Sequence, residues 1–201
     1  KEESEMAQKV DWILPISTVD ATWFKQNSST PQHLLEAGIP LQHYQLLNFS
    51  SSEKWCFLAS LEWMPNVQGL EFFLENIWPA LIHAHPSLTL SVAGRRMPEH
   101  WKNRNIPGVK FVGEVESVKD YFSKHGFLIV PLWSGSGVRI KLIEALAMGM
   151  PCISTTVGAE GLGLVHQQHL LEANRVEEWL QVAKDVLSKP EISISLSQKG
   201  R

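Results

Sequence analysis

The sequence predicts a doubly wound α/β fold built on a parallel sheet, and three observations carry that prediction. From Trp55 onward, short apolar runs alternate with helix-patterned segments. The runs "WCFLA", "FLIVP" and "CIST" are almost unbroken in their apolarity, as strands covered on both faces require. Glycines recur at or just past the run ends, at Gly94, Gly113, Gly135, Gly137, Gly158 and Gly161. In open parallel sheets those turns bring backbone amides close to ligands, although tight-turn geometry alone also asks for glycine.

Taken in order, "DWILPI" (11–16) reads as a strand, and Ser17 with Asp20 has capping-box spacing for the short helix "TVDATWFKQ". Thr30-Pro31 opens a second short helix, which Gly38 ends. "HYQLLN" (43–48) reads as a strand, and "SSSE" (50–53) is the best linker candidate. "WCFLA" then starts the regular part, with a helix from Pro65 to about His83 and the strand "LTLSVAG" (88–94). A short helix "PEHWKN" (98–103) and the strand "VKFVG" (109–113) follow. Ser117 and Asp120 cap a helix through His125, and "FLIVP" (127–131) is the next strand. A helix spans roughly 138–148, stopped by Gly149 and Pro151 before the strand "CIST". "HLLEA" (169–173) is a short strand, and "RVEEWLQVAKDVL" (175–187) is an amphipathic helix. The regular alternation therefore fills about 50–190, and the first 48 residues belong to something else.

Composition narrows the function classes. The 201 residues carry 44% hydrophobic and 19% charged side chains and a net charge of -3, which is ordinary for a globular chain. That balance leaves no nucleic-acid footprint, and Lys and Arg form no local cluster. Cys56 and Cys152 each sit in a strand-like run and read as buried free thiols, which suits a reduced, cytoplasmic setting. No apolar stretch approaches the ~18–20 residues that span a bilayer, while a peripheral contact with the inner membrane face stays compatible. The chain opens on "KEESEM" and closes on polar "SLSQKGR", so it reads as an excerpt of something longer.

The chemistry concentrates in "PLWSGSGVRIKLIEALAMGMP" (131–151). A helix N-terminus favours anions, yet Arg139 and Lys141 put cations there. Either they solvate a surface helix, or they grip an anionic ligand at a site that breaks the local rule. Glu144 lies further in among Leu142, Ile143, Ala145 and Leu146, and a half-buried carboxylate needs donors. Lys141, three residues back, would supply one; the vicinal hydroxyls of a ribose would supply two. Phosphate at the turn and a diol below it together suggest a nucleotide. The first strand is followed by "SLEWMPN", so neither the Gly-x-Gly-x-x-Gly fingerprint nor a Walker A loop is present. The four aspartates, Asp11, Asp20, Asp120 and Asp185, never fall two apart, which argues against a paired-aspartate metal site. His83 and His85 precede Pro86 at a helix end and make a poor metal pair, so no metal is expected. Trp133 and the tryptophan of "EWMPN" have the flat faces that stack on a base or sugar, or they pack in the core.

With these pieces assembled, the chain resembles the carboxyl-terminal, donor-binding half of GT-B glycosyltransferases of the retaining "glycosyl transferases group 1" family. The likeness runs from about Trp55 to Leu187, through "FLASLEWMPNVQGLEFFLENIWPAL", "LTLSVAGRR", "VKFVGEVESVKDYF" and "FLIVPLWSGSGVRIKLIEALAMGMPCISTTVGAEGL". The resemblance implies a Rossmann-like domain at 50–190. It implies that 1–49 close the amino-terminal, acceptor-binding domain and form the linker, and that 191–201 are a polar carboxyl-terminal segment leading to further chain.

The resemblance also implies roles. Glu144 matches the second glutamate of the family's Glu-x7-Glu motif and would hold the ribose. The first glutamate, which lies against the donor sugar, is replaced by Ser136. The family's diphosphate-binding Arg and Lys after the first strand are replaced by uncharged Ser60 and Gln68. Arg139 and Lys141 would supply that charge from the other side of the phosphates, as the catalytic cations. Gly94 and Arg95 match the turn beside the nucleotide, and Val112 lies on the strand end that receives the base. Gly135, Ser136, Gly137 and Val138 are further expected nucleotide-sugar-binding residues, and Gly158, Glu160 and Gly161 match a loop facing the cleft. The implied partners are a UDP-, GDP- or dTDP-linked sugar and, through the missing domain, a glycan or lipid-linked acceptor in polysaccharide or glycoconjugate synthesis. No cofactor or metal is implied, and the excerpt alone is expected to be inactive. Two other readings stand beside this one: a non-catalytic nucleotide-sugar-binding module, and another GT-B enzyme such as a sugar-nucleotide epimerase or a phosphorylase.

Overall fold

A computed structural model describes residues 2–35, 38–49 and 51–201. The chain forms two compact units. The first comprises Lys1–Ile39, Ser136–Val138 and Glu160–Gly163, and the second Pro40–Gly135, Arg139–Ala159 and Leu164–Arg201.

In the first unit, α1 (Glu2–Ala7) and α2 (Thr18–Asn27) are the helices. Ser17 caps α2, accepting the Asp20 N–H at 3.1 Å, as its spacing predicts. The strand expected over 11–16 is reduced to a single bridge between Ile13 and Gln32. Pro15 has no N–H to extend the ladder, and it contributes only a carbonyl, to the Leu35 N–H at 2.8 Å. The helix expected from Thr30-Pro31 to Gly38 does not form over 31–35. Pro31, His33 and Leu35 spend their backbone groups on Ile13 and Pro15 instead. Residues 36 and 37 of that expected helix lie outside the described residues, as does Ser50 of the expected linker.

The second unit is built on six parallel strands: β1 (Lys54–Leu58), β2 (Thr89–Ala93), β3 (Val109–Gly113), β4 (Phe127–Val130), β5 (Cys152–Ser154) and β6 (Leu171–Glu172). Their order is β3-β2-β1-β4-β5-β6, the doubly wound α/β arrangement that the sequence predicts. The helix expected over 65–83 is three segments: α3 (Met64–Phe72), a π-helical turn (Phe73–Ile77) and α4 (Trp78–Ala84). Pro79 offers no N–H and crowds the carbonyl four residues back. The π turn absorbs this, with the Trp78 N–H reaching the Phe73 carbonyl. α5 (Glu99–Lys102), α6 (Val118–Phe122) and α7 (Ile140–Ala147) fall in their expected segments, α6 ending before His125. α8 (Val176–Ser188) is also as expected, whereas α9 (Pro190–Lys199) is a helix that the polar tail did not suggest. Only Leu196 of α9 is fully buried, so its apolar signal is nearly absent.

Alternation along the strands divides the core. Trp55, Phe57, Leu90, Val92, Phe127, Ile129 and Ile153 join Leu70, Phe73, Trp78 and Leu81 of the α3–α4 segment and Trp179, Val182 and Val186 of α8. The Phe73 and Trp179 rings meet edge to face at 4.8 Å in the middle of this layer. The intervening residues Cys56, Leu128 and Cys152 are buried on the opposite face, where α7 packs on β4 and β5. Both thiols are free, and burial raises both far above the usual cysteine range. Tyr121 of α6 donates to the backbone carbonyl of Ser91 at 2.8 Å. β3, at the sheet edge, alternates inward Val109 and Phe111 with exposed Lys110 and Val112.

The strand expected over 43–48 is absent. Leu41–His43 form a 3-10 turn, and the chain then runs as a strap whose Leu47 N–H donates to the Met148 carbonyl at 3.1 Å, beyond the end of α7. Among the described residues, no helix is long and apolar enough to cross a membrane.

Candidate functional site

Neighbouring strands β1 and β4 are not consecutive in the chain, and the connections leave them in opposite directions. Such a switch point opens a crevice outside the carboxyl ends of the strands. The turn after β1 and the loop after β4 flank it. Gly69 of α3 lies so close to the Pro131 carbonyl oxygen that a Cβ there would collide with it, and this sets the start of the β4 loop. Gly135 has φ of 106°, a left-handed geometry that suits glycine, and a Cβ on it would press on the Trp63 ring at 2.7 Å. The loop therefore folds against the indole that follows β1.

Arg139 completes the same cluster. Its guanidinium carbon lies 5.1 Å from the centroid of the Trp63 ring, and Nη2 donates to the Gly135 carbonyl at 3.0 Å. Stacking on an indole fixes the plane of the guanidinium without neutralising it. Arg139 is also the N-cap residue of α7, its carbonyl accepting from Leu142 at 2.9 Å and Ile143 at 3.2 Å. The N–H groups of Ile140 and Lys141 precede those bonds and have no acceptor within the helix.

Farther along α7, Leu142, Ala145 and Leu146 are buried, whereas Lys141 and Glu144 share a less buried side. Glu144 is 18% exposed at its side chain, and both oxygens are engaged. Lys141 Nζ donates to Oε2 at 2.6 Å, and the Tyr44 hydroxyl donates to Oε1 at 3.1 Å. Burial, and then the Glu144 carboxylate, hold the Tyr44 phenol above its usual range.

The expected site residues Gly94, Arg95, Val112 and Gly158 lie at or beyond strand ends of the second unit. Gly94 is buried, a Cβ on it would collide with the Ala59 carbonyl, and its N–H donates to the Gly113 carbonyl at 2.8 Å. Arg95 is exposed, and its carbonyl accepts the Leu61 N–H at 3.0 Å, tying the β2 turn to the β1 turn. Gly158 sits against Val130 and Ser154 at the ends of β4 and β5, its N–H reaching Thr155 Oγ1 at 3.0 Å. Val112 lies two strands from the switch point, 43% exposed, on a cleft of about 980 Å³ that also touches Lys110 and His125. Ser136, Gly137 and Val138 fall in the first compact unit, as do Glu160 and Gly161. Gly137, at φ of 92°, and Gly161, at 78°, are left-handed.

Two residues that the sequence did not single out for these places are Trp63, as the platform for Arg139, and Tyr44, on Glu144. "EWMPN" drew notice as a stacking candidate, but nothing in it names an arginine 76 positions later (139 less 63). Trp133 packs on Phe72 at 4.5 Å between ring centroids and donates to the Asn174 carbonyl at 3.2 Å, the packing role rather than a free face.

The family model described as "Glycosyl transferases group 1" matches residues 52–189. The chain belongs to this family. An "Uncharacterized 44.6 kDa protein in cps region" of Klebsiella pneumoniae is 28% identical over 127 residues, covering 59% of this chain and 33% of that protein. The group 1 chain therefore spans a third of the length of this relative. Among solved structures, TarM superposes with a TM-score of 0.80 at 11% identity, covering 100% of this chain and 42% of TarM. HepE of Anabaena, solved in complex with UDP and glucose, gives 0.74 at 12% identity, covering 98% of this chain and 59% of HepE. At such identities the likeness is one of fold. It places the six-stranded parallel sheet of this group 1 chain with the Rossmann-like part of GT-B glycosyltransferase structures.

Proposed function

We propose that the chain is the donor-binding part of an enzyme that moves a sugar from a nucleoside-diphosphate sugar to an acceptor hydroxyl, with the anomeric configuration retained. The feature that carries this reading is the start of α7 at the switch point, where Arg139, Lys141 and N–H groups with no acceptor inside the helix come just before Glu144 in the chain. Membership of the glycosyltransferase family supports the reaction class, and the UDP complex of HepE supports the nucleotide.

In this reading the bond between the anomeric carbon and the β-phosphate oxygen breaks, and the departing diphosphate gains charge. Arg139, Lys141 and the N–H groups of Ile140 and Lys141 face that charge. This is electrostatic preorganisation at a leaving group, supplied by the chain's own cations and amides. The acceptor oxygen bonds to the anomeric carbon and its proton leaves with the diphosphate. Glu144 takes the ribose hydroxyls, and Lys141 turns from the carboxylate toward phosphate. The acceptor is a glycan or lipid-linked hydroxyl presented by a further domain, in polysaccharide or glycoconjugate synthesis.

A second reading, a nucleotide-sugar-binding module without catalysis, is favoured by Ser136, which stands where the resembling family has its first glutamate. Sugar transfer by a protein containing this chain separates the two. The donor reading is tested by thermal unfolding of the chain with UDP, GDP, ADP and dTDP. A ligand at 100 times its Kd adds roughly 2.7 kcal/mol, so the correct base stands out. Four unchanged transitions at millimolar ligand would end the donor reading.

A further inference from the structure

We propose that Tyr44 is a positioning residue for nucleotide recognition, setting the carboxylate of Glu144 to receive a vicinal diol. The inference rests on the reading of Glu144 as the ribose acceptor and adds to it a residue 100 positions away in the chain.

The contact is built from several directions. The 3-10 turn Leu41–His43 turns the chain just before Tyr44, whose own N–H donates to the Leu41 carbonyl at 3.0 Å. Beyond it, Gln45 accepts from Lys119 at 2.9 Å, and Leu47 donates to the Met148 carbonyl at 3.1 Å. Arg201 Nη2 reaches the Tyr44 carbonyl at 3.2 Å. The backbone on both sides of Tyr44 is thus pinned, and the phenol is delivered to Glu144 Oε1 by tertiary structure.

The consequence follows from the lone pairs of a carboxylate. Each oxygen accepts two hydrogen bonds, and here each holds one: Tyr44 on Oε1, Lys141 on Oε2. Two donors from different elements fix the carboxylate plane and leave one acceptor site on each oxygen. That is the arrangement for two adjacent hydroxyls, one per oxygen. Lys141 is a long cation that the diphosphate also attracts, whereas the phenol is neutral and stays with the carboxylate. Tyr44 would thereby preserve the orientation of Glu144 when Lys141 turns away.

The test is calorimetric titration of the chain and its Tyr44→Phe variant with UDP, GDP and ADP and with their 2′,3′-dideoxy counterparts. The expected result is that wild type prefers the ribose form of one nucleotide, and that Tyr44→Phe weakens this form roughly five- to tenfold while leaving the dideoxy form unchanged. A merely structural loss would weaken both forms equally, and an unchanged melting temperature checks the fold of the variant. If wild type discriminates and Tyr44→Phe discriminates equally, the role of Tyr44 is overturned while the ribose reading survives. Tighter binding by the variant would show that the phenol competes with the diol, and also overturns it. A wild type that binds none of the pairs, or binds both forms alike, removes the ribose reading and this proposal with it.

Discussion

Arg139 shows how far one side chain's neighbours decide its meaning. A cation at a helix start opposes the helix dipole, so it needs compensation. Here the Trp63 face and the Gly135 carbonyl receive the guanidinium. Arg139 is half-buried with its Nε enclosed, so Arg139→Ala should reduce stability by about 1–2 kcal/mol, the range of a partly desolvated cation–π contact. It should weaken a nucleoside diphosphate at least tenfold and leave the matching nucleoside unaffected, as read by calorimetry. Equal losses for both ligands would place the guanidinium away from the phosphates. The sequence made the oddity of Arg139 and Lys141 legible, because dipole and residue type conflict along one helix. It did not reveal Trp63 as the partner of Arg139 or Tyr44 as the partner of Glu144, because those contacts join segments far apart in the chain. Gly94 carries a related lesson. Its position at a strand end suggested ligand approach, and the Ala59 carbonyl alone already requires glycine there.

Among the elements, α8 was the most readable, since its amphipathic period is long and undisturbed. Its start is held by Glu178, which accepts the N–H groups of Asn174 at 2.7 Å and Arg175 at 3.2 Å and pairs with the Arg175 side chain at 2.9 Å. The Asn174 N–H and then the Arg175 side chain lower the pKa of Glu178 in the folded state. This contribution is present above the ordinary carboxylate range and is lost as pH falls through the lowered folded value. Glu178→Ala should cost on the order of 1 kcal/mol in urea unfolding near neutral pH, and the difference from wild type should narrow in acid. A constant difference across pH would assign the effect to packing. Near the chain's start, local patterns mislead where prolines intervene. Pro15 and Pro31 satisfy strand and helix rules locally, but the pairing of 13–15 with 31–35 decides their use. α9 escaped because one buried leucine is too little periodic signal.

At the scale of the whole molecule, the parallel sheet excludes water from both faces, and titratable groups at its margins register that. His125, after α6, lies against the Tyr121 ring at 4.6 Å with its Nδ1 2.7 Å from the Tyr121 carbonyl. Burial lowers its pKa from the ordinary 6.5; the carbonyl partly opposes this, and Lys54 and Lys124 add to it. The folded state thus prefers neutral imidazole, and between the ordinary and the lowered value the unfolded chain binds more protons. Stability from this group is complete above the ordinary value and declines as pH falls through it toward the folded one. His125→Gln should show a smaller drop in urea midpoint than wild type between about pH 7.5 and about pH 5.5. An identical drop in both proteins would assign the acid sensitivity to other groups.

By itself the sequence determined the fold class, the alternation of strands and helices from Trp55 to the end of α8, the buried thiols and the helix where charge conflicts with dipole. Those properties are written in local patterns: apolar periodicity, capping residues and glycines at strand ends. Only the tertiary structure decided what lies beside Arg139 and Glu144, why Gly69 and Gly94 must lack side chains, and where the strap after residue 40 runs. These are contacts between distant segments, and their energies depend on which surfaces the finished sheet brings together.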